Sequence, residues 1–157
     1  MSSHLPYHYK ECGLDNIFLT SGVEVISTPR GEAINISDIR GLHRVIGQML
    51  VRERRDLNGK EFRFLRHEMN LTQKDLAGIL HVDVQRVARW EKKARTKIDG
   101  PAQGLLRIMY EKYIGGNAEI IEPLRRLAEL DEMLSEDNEE NFSFEGAEEG
   151  WQPSMAL

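Results

Sequence analysis

Residues 70–93, NLTQKDLAGILHVDVQRVARWEKK, combine apolar residues at helical spacing with long polar side chains that are free to point outward. Gln85 and Arg89 are four residues apart, which places them on one face of a helix. Arginine can donate two hydrogen bonds to the O6 and N7 of guanine, and glutamine can pair with the N6 and N7 of adenine. These two side chains, together with Val84 as a contact for a thymine methyl, are therefore candidates for reading base edges in duplex DNA.

A second group of side chains has the chemistry to bind phosphate without reading sequence. Gln73 stands at the start of the first short helix, where the amide groups and the helix dipole favour an anion. The cations of this group are Lys74, Arg86, Lys92, Lys93, Arg95 and Lys97. The alternative for each cation is a solvated surface charge, and the alternative for Arg89 is an ion pair with Asp83 or Glu91.

Charge is segregated along the 157-residue chain, whose formal net charge is −5. Residues 40–97 hold 15 basic and 7 acidic side chains, a net +8. Residues 128–157, which we call the acidic tail, hold ten acidic side chains and no basic ones. A basic body favours a polyanionic partner such as nucleic acid, with a merely solvated charged surface as the alternative when charge is considered alone.

Composition argues against several other classes of protein. Cys12 is the only cysteine, so no disulfide can form within the chain, and a reducing cytoplasm is the expected compartment. No apolar run approaches the length needed to span a membrane, and the N-terminus lacks the features of a signal peptide. No second carboxylate, serine or cysteine accompanies Glu91 as a catalytic group, so we expect no enzymatic activity.

A metal site is the alternative to consider at the N-terminus. His4, His8 and Cys12 recur at intervals of four residues, and His43 follows. Structural zinc normally has four ligands in short C-x₂₋₄-C type pairs, and with Cys12 as the only cysteine the sequence contains no such pair. We therefore expect no metal or other cofactor, and Cys12 is expected to be a small buried apolar residue.

The chain divides into four predicted regions. Residues 1–35 contain β-branched and aromatic runs between turn signals, which predicts a small sheet or paired hairpins. Residues 36–56 predict a connecting helix with Ser37 as its candidate N-cap. Residues 57–115 predict consecutive short helices, and residues 116–157 predict an amphipathic helix followed by a disordered end of the acidic tail, residues 138–157. The predicted fold is thus mainly α with a small N-terminal β segment, α+β overall.

Caps and breaks set the helix boundaries within the helical region. Asn58, Thr72 and Asp83 are the expected N-caps of three successive helices. His81 lies at the break before the third helix, where it is expected to tolerate a positive φ. Trp90 is expected to pack against the bundle, because stacking on bases belongs to the recognition of single strands.

The pattern LTQKDLAGIL followed by VARWE resembles the Cro/repressor (XRE) family of helix-turn-helix DNA-binding domains, over roughly residues 58–113. The residues that carry the resemblance are Gln73, Leu76, Ala77, Val82, Val87, Trp90 and Glu91. The resemblance implies that the helix starting at Asp83 enters the major groove, and that Gln73 holds a phosphate and buttresses that helix. His81 departs from the family, which usually has glycine there. The alternative, a helical bundle with no DNA role, does not explain the polar face or the basic region.

The layout of a β region followed by this helix-turn-helix resembles the MqsA-type antitoxins, which dimerise and repress their own toxin–antitoxin operons. The founding members bind zinc through two CxxC pairs that this chain lacks. The resemblance implies a repressor with a protein toxin as a further partner, and the alternative is a plain phage or chromosomal regulator without a toxin. One reading helix covers too few base pairs for specificity, so we expect a homodimer on an inverted-repeat operator. The apolar faces of the predicted helices at 39–50 and 105–113 are the candidate dimer contacts.

Overall fold

A computed structural model of the chain describes residues 5–92, 97–133 and 141–154. Within these ranges it contains six α-helices, one short 3-10 helix and three two-stranded antiparallel sheets. The fold is therefore α+β and mainly helical, as the sequence predicts.

The elements follow the predicted order along the chain. The helices are α1 Ile39–Arg52, α2 Gly59–Glu68, α3 Gln73–Leu80, α4 Val84–Lys92, α5 Gly100–Ile114 and α6 Ile121–Met133, and the 3-10 helix Ala118–Ile120 precedes α6. The strand pairs are β1 Tyr7–His8 with β2 Phe18–Leu19, β3 Val23–Thr28 with β4 Gly31–Ile36, and β5 Phe144–Ala147 with β6 Gly150–Pro153. The two N-terminal pairs confirm the predicted β segment.

Reciprocal side-chain caps fix the starts of α2 and α3, and they confirm Asn58 and Thr72 as the predicted N-caps. The Asn58 side chain accepts a hydrogen bond from the N–H of Glu61, whose carboxylate accepts one from the N–H of Asn58, both at 2.9 Å. Thr72 and Asp75 make the same reciprocal pair at 3.0 Å. Each pair satisfies two amide groups that the first helical turn leaves without a partner.

The cap of α1 differs from the prediction. Asp38, and not Ser37, caps this helix: its carboxylate accepts from the N–H of Gly41 at 3.1 Å, and its φ is 46°. Ser37 instead donates its backbone N–H to the carbonyl of Gly22 at 2.9 Å, which closes the base of the β3–β4 hairpin. Because the hairpin holds Ser37, the next residue takes the capping role, and aspartate tolerates the left-handed conformation.

Residues 141–154 also differ from the prediction, which was disorder over residues 138–157; the rest of that range lies outside the described residues. Strands β5 and β6 form a hairpin in which Gly146 pairs with Trp151. Two hydrogen bonds between Ser143 and Ser154, each 2.8 Å, close its open end. The prediction was based on the charge of this segment and on the absence of a periodic apolar face. The hairpin instead depends on a local turn, which Gly150 permits at φ 119°.

One buried cluster joins the N-terminal segment to the helices. Leu14, Ile17 and Leu19 belong to the same core as Phe62 of α2 and Leu106 of α5. The N-terminal residues are thus part of the body that supports the helices. Helix α1 packs against α5 and buries Ile46 and Leu50, whereas Val45 and Met49 of α1 and Ile108 of α5 stay exposed, so the predicted dimer contacts stay a prediction.

Two arginines of the chain brace the connection between α1 and α2. Arg107 of α5 donates hydrogen bonds of 2.7–3.0 Å to four carbonyl groups at the end of α1 and just beyond it. Arg55 donates to both carboxylate oxygens of the buried Glu61, at 2.7 and 2.5 Å. Burial raises the pKa of Glu61, but the hydrogen bonds from Arg55 and Asn58 outweigh it and leave the pKa below its ordinary value. The charge of Arg55 is therefore compensated within the protein.

Gly59→Ala is expected to lower the free energy of unfolding by about 1–3 kcal/mol. A Cβ at Gly59 would lie 2.1 Å from the backbone carbonyl oxygen of Trp90, so α2 and α4 would have to separate. Gly104→Ala in α5 is the matched control, because nothing lies within 4 Å of its added Cβ. That change is expected to stabilise the protein by about 0.5–1 kcal/mol. Equal midpoints of urea unfolding for the two variants would contradict the close packing of α2 on α4.

Candidate nucleic-acid interface

A three-residue turn, residues 81–83, joins α3 to α4. His81 adopts φ 54°, which confirms the predicted positive φ at a residue other than glycine. The N–H of Val82 donates to the carbonyl of Ala77 at 3.0 Å, and the N–H of His81 donates to the carbonyl groups of Ala77 and Gly78, which closes the end of α3. Asp83 then accepts a hydrogen bond from the N–H of Gln85 at 2.8 Å, which confirms its capping role at the start of α4.

Packing fixes the inner face of α4. Val87 is fully buried and Trp90 is only 5% exposed. The Trp90 ring meets Phe62 of α2 edge to face, with 5.7 Å between the ring centroids. The prediction that Trp90 packs against the bundle is thus confirmed.

A buried carboxylate, Glu91, ties α4 to the two preceding helices. Arg66 of α2 donates to its two oxygens at 2.8 and 2.7 Å. Another nitrogen of Arg66 donates to the carbonyl of Leu71 at 2.8 Å, and Gln73 of α3 donates to Glu91 at 3.2 Å. Gln73 therefore makes the contact with α4 that the family resemblance implies, while its binding of phosphate stays a prediction.

The outer face of α4 consists of side chains that all lie exposed: Val84, Gln85, Arg86, Arg89 and Lys92. The carboxylate of Glu91 points inward to Arg66, and Asp83 is used as the cap. Within the described ranges Arg89 has neither an ion pair nor a hydrogen bond, so the alternative pairing with Asp83 or Glu91 is not found there. The outer face of α4 is therefore cationic, with Gln85 and Arg89 side by side.

The remaining residues predicted to bind phosphate differ in their surroundings. Lys97 is exposed before α5, and Lys93 and Arg95 lie outside the described residues. Lys74 is exposed on α3 but shares a groove with Asp75 and with Glu129 of α6. Arg125 of α6 lines the same groove and pairs with Asp75 at 3.6 Å, so this carboxylate is already engaged by another cation.

Sequence reasoning missed the buried pair of Arg66 and Glu91. Arg66 was counted with the basic region, yet it is only 5% exposed and its charge is neutralised. Burial, followed by the charges of Arg66 and Arg63, lowers the pKa of His67, which disfavours the charged form of this imidazole. The sequence feature that could have indicated this pair is the position of Glu91 directly after Trp90, on the side of α4 that packs against the bundle.

The residues considered as zinc ligands are engaged in other contacts. His8 hydrogen-bonds to a backbone carbonyl at 2.6 Å, and His43 bonds to the hydroxyl of Tyr9 at 2.7 Å. Cys12 is half-buried against the core, and burial raises the pKa of its thiol. His4 lies outside the described residues, and within those residues no group of three or more potential ligands is placed to hold a metal ion.

No protein-family model, curated protein or solved structure matches the chain. In the part of the chain that the structure describes, every helix is too short or too polar to cross a membrane. The assignment of a function therefore depends on the geometry and chemistry of the site itself.

Proposed function

We propose that the protein is a sequence-specific double-stranded DNA-binding repressor whose α3–turn–α4 unit is an XRE-type helix-turn-helix. The observation that carries this proposal is the outer face of α4, which is exposed, cationic and without a carboxylate because Glu91 points inward. An α-helix is about 10–12 Å wide with its side chains and fits a major groove about 12 Å wide. A cationic helix face of this size matches the charge and the shape of that groove.

In this proposal the residues of the site have separate roles. Gln85 and Arg89 read base edges, and Val84 contacts a thymine methyl group. Gln73 binds phosphate at the start of α3, with the cations Lys74, Arg86, Lys92, Lys93, Arg95 and Lys97 as further backbone contacts. The buried contacts of Val87, Trp90 and Glu91 hold α4 rigidly, so the reading side chains keep a fixed orientation.

Arg89→Ala is expected to weaken specific DNA binding by about 1–3 kcal/mol and to relax discrimination at one base position. Lys92→Ala, one turn further along α4, is the matched control. It is expected to weaken binding to all sequences alike. The slope of log K against log salt concentration should also become shallower by about one. Fluorescence anisotropy with a selected operator and its single-base variants measures both effects. If the two variants lose affinity equally and neither changes the base preference, Arg89 does not read bases.

We propose further that this repressor is the antitoxin of a type II toxin–antitoxin system in the cytoplasm and autoregulates its operon. The support is the resemblance of the layout to MqsA-type antitoxins, and the alternative is a regulator with no toxin partner. Co-expression with the neighbouring open reading frame tests this point. A neighbour that arrests growth when expressed alone, and that co-purifies with this chain without toxicity, supports the antitoxin role. A harmless neighbour that does not co-purify supports the plain regulator.

A further inference from the structure

The β3–β4 hairpin presents an uncovered aliphatic face and an open strand edge. Val25 pairs with Ile34 and Val23 with Ile36, so these four side chains share one face of the hairpin. Val23 and Ile36, at the base, pack against the core, whereas Val25 and Ile34 are 44% and 41% exposed. In the described residues this sheet has only two strands, so β3 and β4 each leave one edge unpaired.

Two physical arguments indicate that this hairpin has a partner. A two-stranded hairpin is only marginally stable in water unless it packs against other elements, and only the base of this one, at Val23 and Ile36, packs against the core. Open edges are usually protected by lysine, proline or a bulge. Strand β3, VEVIST, contains no lysine and no proline, and it pairs with β4 without a bulge. It carries a single charge, Glu24.

We propose that β3 pairs antiparallel with β3 of a second copy of this chain, around a two-fold axis at Val25. An axis perpendicular to the sheet keeps equivalent side chains on the same face, so Val25 lies opposite Val25 of the second copy. The exposed Val25 and Ile34 of each copy then form one continuous row of four aliphatic side chains across a four-stranded sheet.

Strand β3 is the better edge for this pairing than β4. Four of its six residues are β-branched, whereas β4, GEAINI, has two and also contains glycine and alanine. The register centred on Val25 places Glu24 opposite Ile26 of the second copy and Ser27 opposite Val23. No like charges meet across the junction, so the strand edge is complementary to itself.

The choice of a second copy as the occupant rests on the proposed function. A repressor needs two reading helices related by two-fold symmetry to recognise an inverted repeat. Identical strands that pair antiparallel supply that symmetry directly. A different protein on this edge is the competing outcome, and the experiments below separate the two.

Cysteine cross-linking tests the register in the full-length chain, in a Cys12→Ser background that removes the native thiol. Val25→Cys is expected to give a disulfide-linked dimer on mild oxidation, because directly opposed Cα atoms are about 4.5–5.5 Å apart. Ser27→Cys is the matched control, since its copies would be roughly 13 Å apart along the strand direction. A folded Val25→Cys variant that stays monomeric, or a Ser27→Cys variant that cross-links as well, overturns the proposed register.

Sedimentation without DNA tests the assembly independently. The native chain is expected to sediment at twice its 18.1 kDa mass at micromolar concentration, and Val25→Lys is expected to shift it to the monomer. Ile26→Lys is the control on the opposite face of β3, where the new cation faces Glu24 of the second copy and leaves the dimer intact. A native chain that remains monomeric at this concentration, or a Val25→Lys variant that still dimerises, refutes the proposal. Since neither measurement involves DNA, a failure of base reading by Arg89 would leave the dimer result unaffected.

Discussion

Replacing Glu91 with alanine is expected to lower the free energy of unfolding by about 3–5 kcal/mol. The change leaves the guanidinium of Arg66, which is only 5% exposed, without a carboxylate. A buried charge without its counter-charge loses its hydration and gains no compensating ion pair. The folded state therefore becomes much less stable relative to the unfolded state. Urea unfolding followed by circular dichroism measures the difference.

Glu122→Ala in α6 is the control for this substitution. It removes an exposed carboxylate that pairs with Arg125 at 3.1 Å, and its expected cost is below about 1 kcal/mol because water screens the pair. The double variant Arg66→Met, Glu91→Leu is expected to recover most of the lost stability, since it removes both buried charges. Equal losses for Glu91→Ala and Glu122→Ala would show that the pair with Arg66 is not buried in solution.

The same substitution has a second consequence under the proposed function. Glu91 also accepts the hydrogen bond from Gln73, so its removal loosens α4 relative to α3. Affinity for the operator should then fall without a change in which base is preferred, because Glu91 is a positioning residue and does not face the groove. This outcome differs from that of Arg89→Ala, which should alter the base preference itself.

Trp90→Ala is expected to destabilise the protein by about 3–5 kcal/mol, because it removes a large buried ring from the junction of α2 and α4. The ring is 5% exposed and contacts Phe62 edge to face at 5.7 Å. Trp151→Ala is the matched control, since Trp151 is 80% exposed in the β5–β6 hairpin. That variant is expected to change stability by less than about 0.5 kcal/mol.

Tryptophan fluorescence gives a second readout of this comparison. The Trp151→Ala variant retains only the buried Trp90, so its emission should shift strongly to longer wavelength on unfolding. The Trp90→Ala variant retains only the exposed Trp151 and should shift little. Similar stabilities and similar shifts for both variants would contradict the packing of Trp90 inside the bundle and would favour an exposed ring.

Local interactions were predictable from the sequence because their partners lie within a few residues of each other. The N-caps Asn58 and Thr72 and the positive φ of His81 were all predicted from residue type and position. The helical period also predicted which side of α4 would be buried, through Val87 and Trp90. The prediction of the α1 cap was wrong because Ser37 had two possible local roles. The prediction of disorder was wrong for the β5–β6 hairpin because it was based on composition and not on turn chemistry.

Tertiary structure alone decided which charges remain available at the candidate interface. Arg66 and Glu91 are 25 residues apart, and only the packing of α2 against α4 brings them together and removes both from the surface. Arg55 is likewise compensated by the buried Glu61. Sequence determines how many charges a segment carries and which helical face each occupies, because both depend on short-range geometry. Whether a cation is free to meet a phosphate depends on desolvation and on partners from distant elements, which are set only when the helices pack.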